Sequence, residues 1–233
     1  MASWMIHLRV AQRLYRELHI EPVSEFILGN IAPDSGVPAE DGNGFVPDKS
    51  VSHFYAFHDD GSHYICEDLF IDRCFPPERR SSCTGEEYAF LLGYLTHLLT
   101  DKIWSREFVQ PAKKEQSELY HANKQRFWRT LKEDWYDLDF MSLKANPSFE
   151  AFRIYRESKN IRNTYLDFFS ETAFEERRRF ILDFYADGAA NVVERGTYLS
   201  REELEAFVVS AAKEIARAIR PLTISRPSGI MIL

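Results

Sequence analysis

Apolar residues recur at helical spacing along most of the chain. From Trp4 to Leu18 they fall at Trp4, Leu8, Ala11, Tyr15 and Leu18 and at Ile6, Val10 and Leu14, a broad face that ends before Pro22. The longest apolar run, from about Glu86 to Phe108, has no proline and only Gly93 as a breaker, which predicts a helix buried on most sides. The spacing predicts further helices from Pro111 to about Trp135, Pro147 to Ser158, Thr164 to Asp187 with a break near Ser170, and Arg201 to Arg220. Ser200 and Glu203 form a capping box opening the last of these. A short helical turn is expected from Ser24 and an amphipathic helix from about Ser62 to Phe75, with a loop rich in Gly, Pro, Asn and Asp between them. No run alternates long enough to predict a strand, and the fold class is all-α, a multi-helix bundle around a buried site. Residues 1–145 read as the helical core carrying the candidate chemistry, and 146–233 as a helical extension packed on the same domain. The tail from Pro221, PLTISRPSGIMIL, is too short and too punctuated to span a bilayer and is expected to pack on the body.

Composition narrows the classes. A net charge of -7 and a pI near 5.6 argue against a general affinity for a nucleic acid duplex or an anionic membrane. The 3 cysteines, Cys66, Cys74 and Cys83, form no CxxC pair and fit no disulfide framework. MASWMIHLRV lacks the order of a secretory signal, and no apolar stretch is long enough for a transmembrane segment, so a cytoplasmic protein is expected.

The candidate chemistry centres on His97 and Asp101, one helical turn apart in the buried run. An ionised carboxylate in an apolar core needs a counter-charge, a full set of hydrogen bonds or a metal. His7 lies on the apolar face of the first helix, Asp34 follows Pro33 in the long loop, and His53, His58 and His63 cluster after it. Imidazole is the commonest protein ligand for zinc-like metals, so this clustering favours a site. The chain has no glycine-rich phosphate loop, dinucleotide fingerprint or serine nucleophile motif, which leaves metal chemistry as the leading candidate.

The order His7, Asp34, His53, His97, Asp101, carried in the stretches SWMIHL, GNIAPDS and FLLGYLTHLLTD, resembles the zinc-dependent phospholipase C family, whose fold is shared with fungal single-strand nucleases. The resemblance covers roughly residues 3–104, with looser similarity to about Asp139. It implies a zinc-dependent phosphodiesterase in which Asp34, His53, His97 and Asp101 hold one metal and His7 joins a bridging Asp101 on a neighbour. It further implies a nucleophilic hydroxide made from metal-bound water, with Asp34 as general base, and a small phosphoester or phospholipid head group as substrate. Glu107 and His121 stand at roughly the spacing of ligands to a third ion, but the last such position is Gln125, and Trp4 is preceded by three residues where the secreted members begin at a metal-binding tryptophan amine. A reduced site of one or two metals is therefore expected. Two rivals remain: an HD-type metal phosphohydrolase built on the adjacent pair His58 and Asp59, and a metal-stabilised binding protein without turnover.

Overall fold

The computed structural model describes residues 1–39, 44–187 and 195–224. Helix α1 (Trp4–Leu18) begins where the Ser3 hydroxyl accepts a hydrogen bond from the Ile6 amide and ends at His19 in a left-handed conformation, its N–H returning to the Tyr15 carbonyl. Helix α2 (Val23–Ile31) runs straight into a 3-10 turn, Ala32–Asp34, which places Asp34 at the end of a rigid apolar segment. A short hairpin follows, β1 (Val37–Pro38) with β2 (Phe45–Val46), then α3 (Lys49–Ser52), whose cap Asp48 accepts from the Ser50 amide. A second hairpin pairs β3 (Tyr55–Phe57) with β4 (His63–Ile65), Ala56 opposite Tyr64.

These hairpins correct the expectation of a strandless chain and of a helix starting at Ser62. Asp60 accepts hydrogen bonds from the Ser62 amide and hydroxyl, and Gly61 adopts φ +79°, a reversal that an L residue resists. The helix there, α4 (Glu67–Cys74), starts later, and α5 (Pro77–Ser82) leads to the longest apolar element, α6 (Gly85–Trp104), capped by Thr84 and extended by a π-helical turn, Ser105–Val109.

The expected helix from Pro111 is three pieces, α7 (Gln110–Glu115), α8 (Ser117–Ala122) and α9 (Lys124–Ala145). The break precedes α9 because Asn123 leaves helical geometry and its side chain caps Arg126. Helix α10 (Glu150–Glu157) is followed by an irregular stretch. There the Asn163 amide donates to the Leu166 and Phe169 carbonyls and accepts from the Tyr165 and Leu166 amides. This local network outcompetes a helix at Thr164, and α11 spans Ala173–Asp187. The last helix, α12 (Arg201–Ile224), opens on the reciprocal Ser200–Glu203 cap and packs on α1 and α6. The tail beyond Ile224 lies outside the described residues. No helix among them is long and apolar enough to cross a membrane.

The tightest packing in the molecule is between α2 and α6. A Cβ on Gly29 would fall on the Phe90 carbonyl, and one on Gly93 on the Phe26 carbonyl and 2.9 Å from the Asn30 nitrogen. Glycine at both positions lets the two backbones touch, so Gly93, which reads as a mild helix breaker in the sequence, is a contact surface.

A polar tie joins three helices beside this crossing. The buried Asp139 of α9 accepts hydrogen bonds from the Ser3 hydroxyl at 2.8 Å and from the Tyr185 hydroxyl of α11 at 2.7 Å. Ser3 is the cap of α1, so this carboxyl fixes the start of the helix that carries His7. Burial pushes Asp139 up to about 7, against the pull of those two donors.

Replacing Gly93 by Ala should lower the midpoint of urea unfolding and cost about 3 kcal/mol, because the obstruction is backbone that cannot rotate away. Asp139 should give stability a pH slope of its own. The folded protein holds that proton more tightly than the unfolded chain, where the carboxyl titrates near 3.8. Its contribution is therefore lost as pH rises from about 4 through about 7. Unfolding free energies at pH 5 and 7 should fall more for the native sequence than for Asp139→Asn, which cannot ionise; equal slopes would contradict this assignment.

Candidate metal centre

Three helices and one loop bring five side chains to a single buried point. His7 comes from the middle of α1, His97 and Asp101 from α6, Asp34 from the end of the 3-10 turn, and His53 from the residue that ends α3. His7, His53 and His97 have no solvent exposure, Asp101 has 1% and the Asp34 side chain 8%. The His7 and His97 rings stack with centroids 3.7 Å apart, and His53 meets His97 edge-on at 5.3 Å. Two groups have ligand atoms mutually within 4.8 Å: His7, His97 and Asp101, and Asp34, His53 and His97.

The separations between opposite charges are too long for good hydrogen bonds. His7 Nε2 is 3.3 Å from Asp101 Oδ1, and His97 Nε2 and His53 Nε2 lie 3.4 and 3.7 Å from Asp101 Oδ2. His53 Nε2 is 3.5 Å from Asp34 Oδ1. Consequently both ring nitrogens of His7, Nε2 of His53, Nε2 of His97 and Oδ2 of Asp101 are buried without a hydrogen-bond partner; the Asn30 side-chain amide and Trp104 Nε1 share that condition. On α6 the buried Thr96 and Thr100 hydroxyls are satisfied, each donating to a carbonyl one turn back. Leaving so many donors and acceptors unpaired in one place would cost several kcal/mol if nothing else satisfied them.

The far sides of His97, His53 and Asp101 are held. His97 Nδ1 lies 2.8 Å from the Asn30 carbonyl, which can only accept, so in the neutral ring the proton is on Nδ1 and the lone pair on Nε2 faces the cluster. The Ser52 hydroxyl stands 3.0 Å from Nδ1 of His53, and the Ala2 amide donates to Asp101 Oδ1 at 2.6 Å. Partners behind a ligating ring are what fix its tautomer and direction in metal sites.

Burial opposes ionisation of Asp101 and Asp34, but the buried amino terminus, then His7 and His97, hold Asp101 below the usual carboxylate range, and His53 and His97 do the same for Asp34. Burial, then repulsion from His97, lowers His7 to about 4, and burial lowers His53 as well. Burial also works against a charge on His97, yet Asp101 and Asp34 raise its pKa. With His7 and His53 held below the usual imidazole range, the two carboxylates and the neutral rings present lone pairs to the cluster. That donor set fits a zinc-type dication.

Glu107 and His121 do not reach this point. Both are exposed; Glu107 pairs with Arg106 at 3.0 Å and the His121 ring packs on Tyr120, because the π-helical turn and the breaks around α8 carry them outward. His58 and Asp59 occupy the exposed turn of the β3–β4 hairpin and belong to neither buried group, so the HD-type pair is not assembled. Ser52, Asn30 and Ala2 support the centre although no sequence motif marks them. Asn30 and Ala2 act through backbone atoms, which residue type does not reveal.

On its Asp34 side the centre opens to a cavity of about 550 Å³ that Trp4, Trp135, Tyr136, Lys49 and Lys132 help to line. No curated protein and no solved structure matches the chain. A family profile described as zinc dependent phospholipase C matches residues 6–169, a span that holds the whole buried cluster. With zinc as its cofactor and a phospholipase C-like, metal-dependent function, the chain belongs to the zinc-dependent phospholipase C family.

Proposed function

We propose that this protein hydrolyses a phosphodiester at a zinc centre held by His7, Asp34, His53, His97 and Asp101. The observation that carries the reading is the set of buried imidazole nitrogens and the Asp101 oxygen that lack hydrogen-bond partners, while His53, His97 and Asp101 are buttressed on their far sides. Asp101 directs Oδ1 toward His7 and Oδ2 toward His53 and His97, the arrangement of a carboxylate shared between two cations. His97 belongs to both groups, and its single inward lone pair on Nε2 would serve one ion of the two. With Glu107 and His121 outside, the site accommodates one or two ions rather than three.

Bound zinc supplies a coordinated water of lowered pKa and draws charge from a phosphoryl oxygen. The remaining work belongs to the chain. Asp34 belongs to the cluster and also lines the cavity, so its carboxylate reaches both the centre and an incoming substrate. It would accept a hydrogen bond from the attacking water and take its proton as the new phosphorus–oxygen bond forms and the ester phosphorus–oxygen bond breaks, the departing alkoxide taking up a proton to leave as the alcohol. Burial pushes the Tyr136 phenol up to about 12, which keeps it a hydrogen-bond donor at working pH. Trp4 and Trp135 give the apolar part of a substrate a dry wall, and with the enclosing helices they exclude bulk water from the reacting atoms. A phospholipid or another phosphodiester with an apolar portion matches this lining.

Elemental analysis and turnover of bis(p-nitrophenyl) phosphate, taken together on one preparation, test the reading. The native chain should hold about two zinc ions, and Asp101→Asn should lose at least one together with a rate loss of about 100-fold or more. Undiminished zinc and turnover in Asp101→Asn would contradict it. Loss of zinc without any turnover in the native chain would leave a structural metal centre.

A further inference from the structure

The charge of the cavity wall bears on which phosphoester the centre serves, and the argument rests on the hydrolase reading above. Three cationic side chains, Lys49, Lys132 and Arg177, line the cavity, against the carboxylates of Asp34 and Glu176. Asp34 is engaged with the buried imidazoles. Arg177 is already employed, donating to the Gly36 carbonyl and lying over the Phe180 ring.

The two lysines are different. Lys49 Nζ has the Phe45 ring 5.3 Å away and Met1 Sδ at 3.8 Å, neither of them a counter-charge. Lys132 makes no ion pair or hydrogen bond among the described residues. Arg9, Arg16, Arg79, Arg106 and Lys102 each find a glutamate; Lys49 and Lys132 find none among the described residues, and the two ammonium groups line the same cavity. They act on each other and on Asp34: Lys132 loses basicity first to burial and then to repulsion from Lys49, while Asp34 opposes the loss. The carboxylates of the centre and the phosphate of a diester are matched to zinc, so a singly charged diester leaves the lysines without a partner. A quaternary ammonium head group would be driven off by them, despite the aromatic walls that could otherwise receive it.

We infer that the cavity selects a phosphoester carrying a second anionic group, a phosphate or carboxylate held between Lys49 and Lys132, in preference to a choline-type ester. The aromatic walls beside the lysines take the remainder of the molecule. The same chemistry can be offered by an acidic phospholipid or by a water-soluble phosphodiester.

The test uses the zinc-loaded protein with three dioctanoyl lipids, phosphatidylcholine, phosphatidylinositol and phosphatidylinositol 4-phosphate, and with their deacylated glycerophospho forms. Product release gives kcat/KM, and quenching of the cavity tryptophans gives affinity independently of turnover. The 4-phosphate should be preferred over the choline ester by about tenfold or more, the scale of one charge-assisted contact. Lys132→Gln and Lys49→Gln should each collapse that preference toward unity, and Lys132→Arg should retain it. Unchanged melting temperatures would establish that the variants fold. Preference among the lipids alone would identify a lipid source, and preference among the deacylated forms a soluble one; either supports the inference. A choline ester bound and cleaved as well as the 4-phosphate, or a preference that survives both glutamine variants, would overturn it. If no ester is cleaved while the affinity order holds, the hydrolase reading fails and the charge selection stands.

Discussion

Where α2 crosses α6, Gly29 and Gly93 let the two backbones meet without side chains between them. The site depends on that approach. It brings the Asn30 carbonyl within 2.8 Å of His97 Nδ1, so the ring on α6 is aimed by the main chain of α2, and the 3-10 turn that continues α2 delivers Asp34 to the same place. Any larger residue at the crossing would separate the helices by more than a hydrogen bond can span. The ring would then lose its orienting partner and the loop its starting point.

The rest of the core serves to hold a costly polar cluster in position. Ser3 caps α1 and is tied to Asp139 on α9, which is in turn tied to Tyr185 on α11, so the helix bearing His7 is anchored from two others. Trp104, one turn below Asp101, is locked edge-on against Trp135 and Phe207. Rigid elements on every side hold His7, His97 and Asp101 apart by 3.3–3.4 Å, too far to pair well and near enough to share a cation. The cavity that meets a substrate is lined by the first hairpin and α3 together with α9 and α11.

Much of this was legible in the residues. Helical periodicity placed α1 and the starts of α6 and α12 within a residue or two, because their apolar faces are continuous and their caps are explicit. His97 and Asp101 were conspicuous as polar groups inside the most apolar run of the chain. What the sequence hid was local competition. Asn123 and Asn163 divert the backbone through their own side-chain hydrogen bonds, and the hairpin strands are too short to show alternation. Spacing along the chain made Glu107 and His121 resemble ligands, but a π-helical turn and a helix break rotate both into solvent. Lys49 and Lys132 are ordinary surface lysines until the fold places them on one cavity.

The central claim is that the unpaired nitrogens and the Asp101 oxygens are aimed at metal. Anomalous diffraction recorded on either side of the zinc absorption edge tests it most directly. The account predicts strong peaks at the roughly 2 Å bond lengths of zinc from the inward-facing atoms of the cluster, one on the His7 and Asp101 side and one on the Asp34 and His53 side, with His97 Nε2 bound to only one of them. Zinc-soaked crystals with no peak there, and with direct hydrogen bonds closing the cluster instead, would contradict it.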